Sequence, residues 1–223
     1  MSSKAKVLTF LYSSLYFIVL LVALKICDVA ETGPGNTKIG LSSLNSWYRN
    51  AFNFYGAKGY SETLFTLTEL LFYVCIGACI FFFALMIRDM VKAGRIDGVG
   101  VDKNLLASSF LYLVTLVILL IFKALPVNLR PVLLTFRKSL ESSFPSSRVT
   151  VYIITLGSVI FHTWDYYSEN RKRAKIITII CSVLLAFGII ARMLSGVCWF
   201  TDIIGGILLG VALLILYSVF FDV

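Results

Sequence analysis

The chain has 223 residues, 59% of them hydrophobic and 14% charged, with a mean hydropathy of +0.90, and a soluble domain of this size has no way to hide so much apolar surface. A soluble enzyme or binding domain is excluded; the composition is that of a membrane protein. The formal net charge of +8 does not indicate a nucleic-acid partner, because the basic residues divide into two sets at opposite ends of the apolar segments.

A helix needs about 20 predominantly apolar residues to cross the hydrocarbon core, and the sequence carries six such runs: Val7 to Cys27, Tyr60 to Ile87, Leu105 to Leu125, Ser146 to Trp164, Ile176 to Leu194 and Ile203 to Phe221. The first follows Lys4 and Lys6 as a signal peptide would, but it is too long to read as a cleaved one. Between the first two runs, Leu41, Leu44, Tyr48, Ala51, Phe52 and Tyr55 recur at helical spacing with Trp47 nearby, the pattern of a helix lying in the membrane interface. The fold expected is therefore all-α: an integral membrane bundle of six transmembrane helices with an interfacial helix between the first two, and residues 1–223 forming a single domain.

An even number of spans puts both termini on one side, and the distribution of Lys and Arg selects the side. Lys4, Lys6, Arg88, Lys92, Arg95, Lys103 and the cluster Arg171, Lys172, Arg173 and Lys175 share one face, which is expected to be cytoplasmic, with the plasma membrane as the location. The opposite face keeps Lys123, Arg130, Arg137, Lys138, Arg148 and Arg192. So many cations on an outer face point to an anion held there. Glu69, deep in the second run, requires a partner: either it is a hydrogen-bonded packing carboxylate or it is the countercharge of an outer arginine. Gly205, Gly206 and Gly210 fall on nearly one face of the last run and allow close helix packing. The five cysteines, Cys27, Cys75, Cys79, Cys181 and Cys198, have no CxxC spacing, so neither a metal site nor a disulfide framework is expected, and no cofactor is implied.

Three segments fall at the outer ends of different runs: KALPVNLRP from Lys123 to Pro131, SFPSSR from Ser143 to Arg148, and ARMLSGVCWFTD from Ala191 to Asp202. In order and spacing they resemble the three-part signature of the type 2 phosphatidic acid phosphatase (PAP2) superfamily, K-x6-R-P, P-S-G-H and S-R-x5-H-x3-D. Lys123, Arg130 and Pro131 fit the first part, Pro145 and Ser146 begin the second, and Arg192 and Asp202 take their places in the third.

The resemblance implies that Lys123, Arg130 and Arg192 bind a substrate phosphate. Elementary chemistry agrees, since guanidinium pairs bidentately with phosphate oxygens. Ser146 and Ser147, at the start of the fourth span, would add free backbone N–H groups and a helix dipole that favour an anion. In the family, the histidine of the third part is the nucleophile, the aspartate orients it, and the histidine of the second part is the acid. Here the nucleophile position is Cys198, the acid position Arg148 and the orienting position Asp202. Arg148 can hold an oxygen but cannot deliver a proton, and the single histidine, His162, is far along the fourth span.

The expectation is a lipid phosphate or diphosphate phosphatase-like membrane protein, a pseudoenzyme that binds its ligand from the bilayer without hydrolysing it. The alternatives are a working or bench-inactivated lipid phosphatase acting on undecaprenyl diphosphate, phosphatidate or a related lipid, and a phosphatase using Cys198 as nucleophile with Glu141 or Asp202 as acid.

Overall fold

The computed structural model describes residues 3–54, 59–94, 100, 102–134 and 138–220. Of the residues singled out above, Tyr55, Arg95, Arg137 and Phe221 lie outside the described residues. The described chain is helical: α1 (Ser3–Ile26), α2 (Ser42–Ala51), α3 (Glu62–Ala93), α4 (Lys103–Ala124), α5 (Ser147–Tyr166), α6 (Arg171–Leu194) and α7 (Phe200–Phe220), with a short 3-10 turn at Pro34–Asn36. The six long helices match the six apolar runs and α2 is the helix expected between the first two. Boundaries differ by a few residues: α3 continues to Ala93, and α7 begins at Phe200, which brings Asp202 into its first turn.

Among the described residues, five of the long helices are apolar and long enough to cross a membrane; α5 is the exception. The reason is its place in the bundle. It packs against α3, α4, α6 and α7, its residues Val149 through Ser158 are all buried, and a helix enclosed by protein does not need a lipid-compatible surface. Its Thr150, Tyr152, Thr155 and Ser158 instead find hydrogen-bond partners on or near neighbouring helices, as a buried polar group must. The outer helices show the converse, with Leu11, Leu15, Phe81, Leu113 and Val183 exposed on their lipid-facing sides.

Small residues let α7 approach α5 closely. A Cβ on Gly206 would stand 2.8 Å from the backbone oxygen of Ser146, and one on Gly205 would stand 2.4 Å from the Phe144 ring. The glycine face therefore sets the position of the segment that opens α5.

The interfacial helix is oriented by its polar side. Ser42, Asn45, Tyr48 and Arg49 are buried against the protein, whereas Leu44 and Trp47 face outward. Asn45 exchanges hydrogen bonds with Thr201, donating to its hydroxyl and accepting from its backbone N–H. Arg49 donates to the carbonyls of Gly196, Phe54 and Gly59, and the Tyr48 hydroxyl donates to the Met193 carbonyl. Burial pushes the Tyr48 hydroxyl well above the ordinary tyrosine pKa, so it stays a donor. The helix thus works as a polar clamp on the turn between α6 and α7, with its apolar side left for the membrane interface.

Candidate anion pocket at the α2 end of the bundle

The three segments singled out in the sequence meet at the end of the bundle that carries α2. The loop after α4 folds back on itself in an antiparallel bridge between Leu129 and Ser142. Within it, Arg130 N donates to Glu141 O at 3.0 Å and Ser143 N to Asn128 O at 2.9 Å. The third segment is tied to the other two by Trp199 Nε1, which donates to Leu129 O at 2.7 Å, and by Asp202 O, which accepts from Ser146 N at 2.9 Å. Residues up to 70 positions apart in sequence thereby share one wall of the protein.

A cavity of about 240 Å³ lies here, lined by Lys123, Arg130, Glu141, Ser147 and Arg148 among the polar residues and by Phe72, Leu116, Leu119 and Phe144 among the apolar ones. Lys123, at the last turn of α4, is exposed. Arg130 is 4% exposed. Its Nη2 stands 3.4 Å from Glu141 Oε2, while its Nε and Nη1 have no hydrogen-bond partner among the described residues. Burial, reinforced by the like charges of Arg192 and Arg148, holds the Arg130 guanidinium below its ordinary pKa.

Arg148 lies behind Ser147 at the start of α5. Its Nε and Nη2 donate to the two oxygens of Glu69 on α3, both at 2.9 Å, and its Nη1 donates to Ser147 Oγ at 3.1 Å. The guanidinium also lies 5.0 Å from the centre of the Phe72 ring. Arg192, 1% exposed on α6, donates from Nη1 to the same Glu69 at 3.2 Å and to Thr68 Oγ1 at 3.2 Å. Its Nε is buried without a partner among the described residues, as is Ser146 Oγ. Glu69 is thus the countercharge of two arginines, and it is also hydrogen-bonded; the two sequence-based alternatives describe one arrangement.

Not every expected site residue reaches the cavity. Lys123, Arg130, Ser147 and Arg148 line it, whereas Ser146, Arg192, Cys198 and Asp202 do not. Cys198 is 2% exposed and packs in an apolar cluster with Phe65, Val132, Leu134, Val149, Ile153 and Ile203. Asp202 is fully buried. Its Oδ2 accepts from Trp199 N at 2.9 Å, which caps the first turn of α7, and its Oδ1 has no hydrogen-bond partner among the described residues. Through Oδ2 the carboxylate therefore serves its own helix end, four residues after a position that holds cysteine rather than histidine. His162 bonds Ser108 Oγ at 3.1 Å and stacks on Phe82, well down α5 from Arg148.

Sequence reasoning missed Asn45 and Arg49, which brace the turn carrying Cys198, and gave no role to Asn128. The signal for the first two was the i, i+4 polar pair Asn45 and Arg49 flanking the apolar stripe of α2, whose Tyr48 is buried on the same side instead of facing the membrane interface. Among the described residues no group of three or more His, Cys, Asp or Glu side chains gathers to hold a metal.

The family model of the PAP2 superfamily matches residues 104–223, which contain all three segments. The crystal structure of the first transmembrane PAP2 type phosphatidylglycerolphosphate phosphatase from Bacillus subtilis superposes on this chain with a TM-score of 0.66 at 16% sequence identity, covering 94% of each chain. At that identity the likeness establishes a shared fold. No curated protein matches the sequence.

Proposed function

Starting from a chain that belongs to the PAP2 superfamily, we infer that the pocket binds the phosphate or diphosphate group of a membrane lipid and that the histidine chemistry of the family is lost. One observation carries this reading: the buried Nε and Nη1 of Arg130 lack partners among the described residues, in the wall of a cavity that Lys123 and Arg148 also line. Buried polar groups are nearly always paired, and an anion with several oxygens is the ligand that satisfies guanidinium forks. An apolar groove of about 440 Å³ between α3 and α4 shares Phe72, Leu116 and Leu119 with the cavity. That continuity favours a phosphate carrying a hydrocarbon chain over a soluble one.

The roles divide as follows. Lys123 and Arg130 meet the phosphate directly, the start of α5 with Ser146 and Ser147 offers its N-terminal dipole, and Arg148 and Arg192 supply charge from behind. Arg148 holds no transferable proton. Cys198 does not line the cavity and its short side chain packs among apolar residues, which argues against its acting as nucleophile, although its position neighbours Arg130 and Arg148. Residues 1–223 act as one six-helix domain, placed in the plasma membrane with both termini cytoplasmic and the pocket outward, in keeping with the basic cluster Arg171 to Lys175 at the opposite end.

The test uses purified protein in neutral detergent with phosphatidate and an isoprenyl diphosphate as ligands. Binding is expected for wild type, weakened at least about tenfold in Lys123→Gln and Arg130→Gln by loss of a charged contact, with no inorganic phosphate released. The double variant Arg148→His, Cys198→His is expected to gain turnover that neither single variant has. Clear phosphate release by wild type overturns the reading.

A further inference from the structure

The phosphate-binding arginines are already occupied by an acid of the chain itself. Glu69 takes both forked N–H groups of Arg148 at 2.9 Å and one of Arg192 at 3.2 Å. Carboxylate and phosphate use the same guanidinium edge. Arg148 is left with Nη1, which rests on Ser147, and Arg192 is absent from the cavity wall. A headgroup entering the cavity first meets Lys123 and Arg130, the latter already facing Glu141. To engage Arg192 and the fork of Arg148 it has to take them from Glu69.

We propose that Glu69 is an internal anion that sets a charge threshold on the pocket, admitting lipids with a phosphomonoester or diphosphate terminus and rejecting phosphodiester lipids. The proposal rests on the reading of the pocket given above. Its physical basis is exchange. A phosphodiester carries one negative charge, as Glu69 does, so replacing the carboxylate gains no charge while breaking a tethered bidentate pair. A phosphomonoester carries about −1.5 to −2 near neutral pH with three free oxygens, so it outbids the carboxylate for both arginines. Bilayers are made chiefly of phosphodiester lipids, and a bare cluster of Lys123, Arg130, Arg148 and Arg192 open to that solvent would bind them. A competing internal charge is a direct way to discriminate against the abundant ligand.

The experiment measures binding of phosphatidate, phosphatidylglycerol and inorganic phosphate to the protein in neutral-detergent micelles, for wild type, Glu69→Gln, Arg148→Gln and the double variant Glu69→Gln, Arg148→Gln. Wild type is expected to prefer phosphatidate over phosphatidylglycerol by roughly tenfold or more, the scale of one unit-charge interaction at a partly buried site. In Glu69→Gln phosphatidylglycerol affinity is expected to rise roughly tenfold, so that the preference narrows, and inorganic phosphate is expected to bind more tightly than in wild type. Should Glu69→Gln fail to fold, the double variant, which restores the charge balance, is compared with Arg148→Gln and is expected to show the same gain for phosphatidylglycerol. Weaker binding of all three probes, or an unchanged preference, means that Glu69 merely positions the arginines and overturns the proposal. If wild type binds phosphatidate through Lys123 and Arg130 but the preference does not respond to Glu69, this inference alone fails; if Lys123→Gln and Arg130→Gln leave phosphatidate binding unchanged, the reading of the pocket fails with it.

Discussion

Cys198 lies in the bend just before α7 and Asp202 in its first turn, yet they do unrelated work. The thiol is packed among Phe65, Val149, Ile153 and Ile203, and Asp202 spends Oδ2 on the Trp199 backbone N–H. A cysteine in that setting behaves as a small apolar side chain. Cys198→Ala is therefore expected to cost about 1 kcal/mol, the scale of a small cavity, and to leave phosphatidate affinity within about twofold of wild type, the change associated with a residue outside the contact set. Cys198→Ser is expected to cost more than Cys198→Ala, because a hydroxyl buried among hydrocarbon needs a partner. Thermal unfolding in detergent alongside a binding titration checks both. Loss of binding in Cys198→Ala with stability intact would place the thiol in the pocket after all.

At the scale of elements, the pocket depends on α7 holding the start of α5 in place. The backbone oxygen of Ser146 would lie 2.8 Å from a methyl at position 206, and neither helix can yield without moving Ser147 and Arg148. Gly206→Ala is expected to destabilise by roughly 1 to 3 kcal/mol through overpacking and to weaken phosphatidate binding in parallel. Gly77→Ala in α3 is the control: nothing lies within 4 Å of its added methyl, and alanine's helix propensity is expected to leave stability equal or higher by up to about 1 kcal/mol. Equal effects of the two substitutions would show that the α5 and α7 contact does not set the pocket. The long helices and the convergence of the three segments were legible in the sequence because apolar runs and motif spacing are local signals. The partners of the polar residues of α2 were not, since Asn45 and Thr201 are 156 residues apart and the partners of Arg49 are backbone carbonyls. Nor was the seclusion of Arg192: the sequence required a cation for Glu69 but could not tell that one carboxylate would hold two and keep one of them out of the cavity.

For the molecule as a whole, an outward pocket rich in cations runs against the charge asymmetry that orients membrane proteins. Ion pairing lessens that conflict. Arg148 and Arg192 share Glu69, and Arg130 faces Glu141, so among these pocket cations Lys123 is the exposed one, whereas Arg171, Lys172 and Arg173 at the opposite end are all exposed. Two carboxylates, Glu69 and Glu141, thus offset part of the positive charge of Lys123, Arg130, Arg148 and Arg192, while every basic residue of the cluster at the opposite end is exposed. The chain carries its own reporter of this orientation, because Cys27, where α1 ends beside the α2 clamp, is exposed, while Cys75, Cys181 and Cys198 are buried and Cys79 is half-buried midway along α3. A membrane-impermeant maleimide added to intact cells is expected to label wild type and not Cys27→Ser. In the Cys27→Ser background, Lys172→Cys is expected to label only after the membrane is permeabilised. The reverse pattern would turn the pocket toward the cytoplasm, so that the lipid phosphates it meets would be those of the inner leaflet.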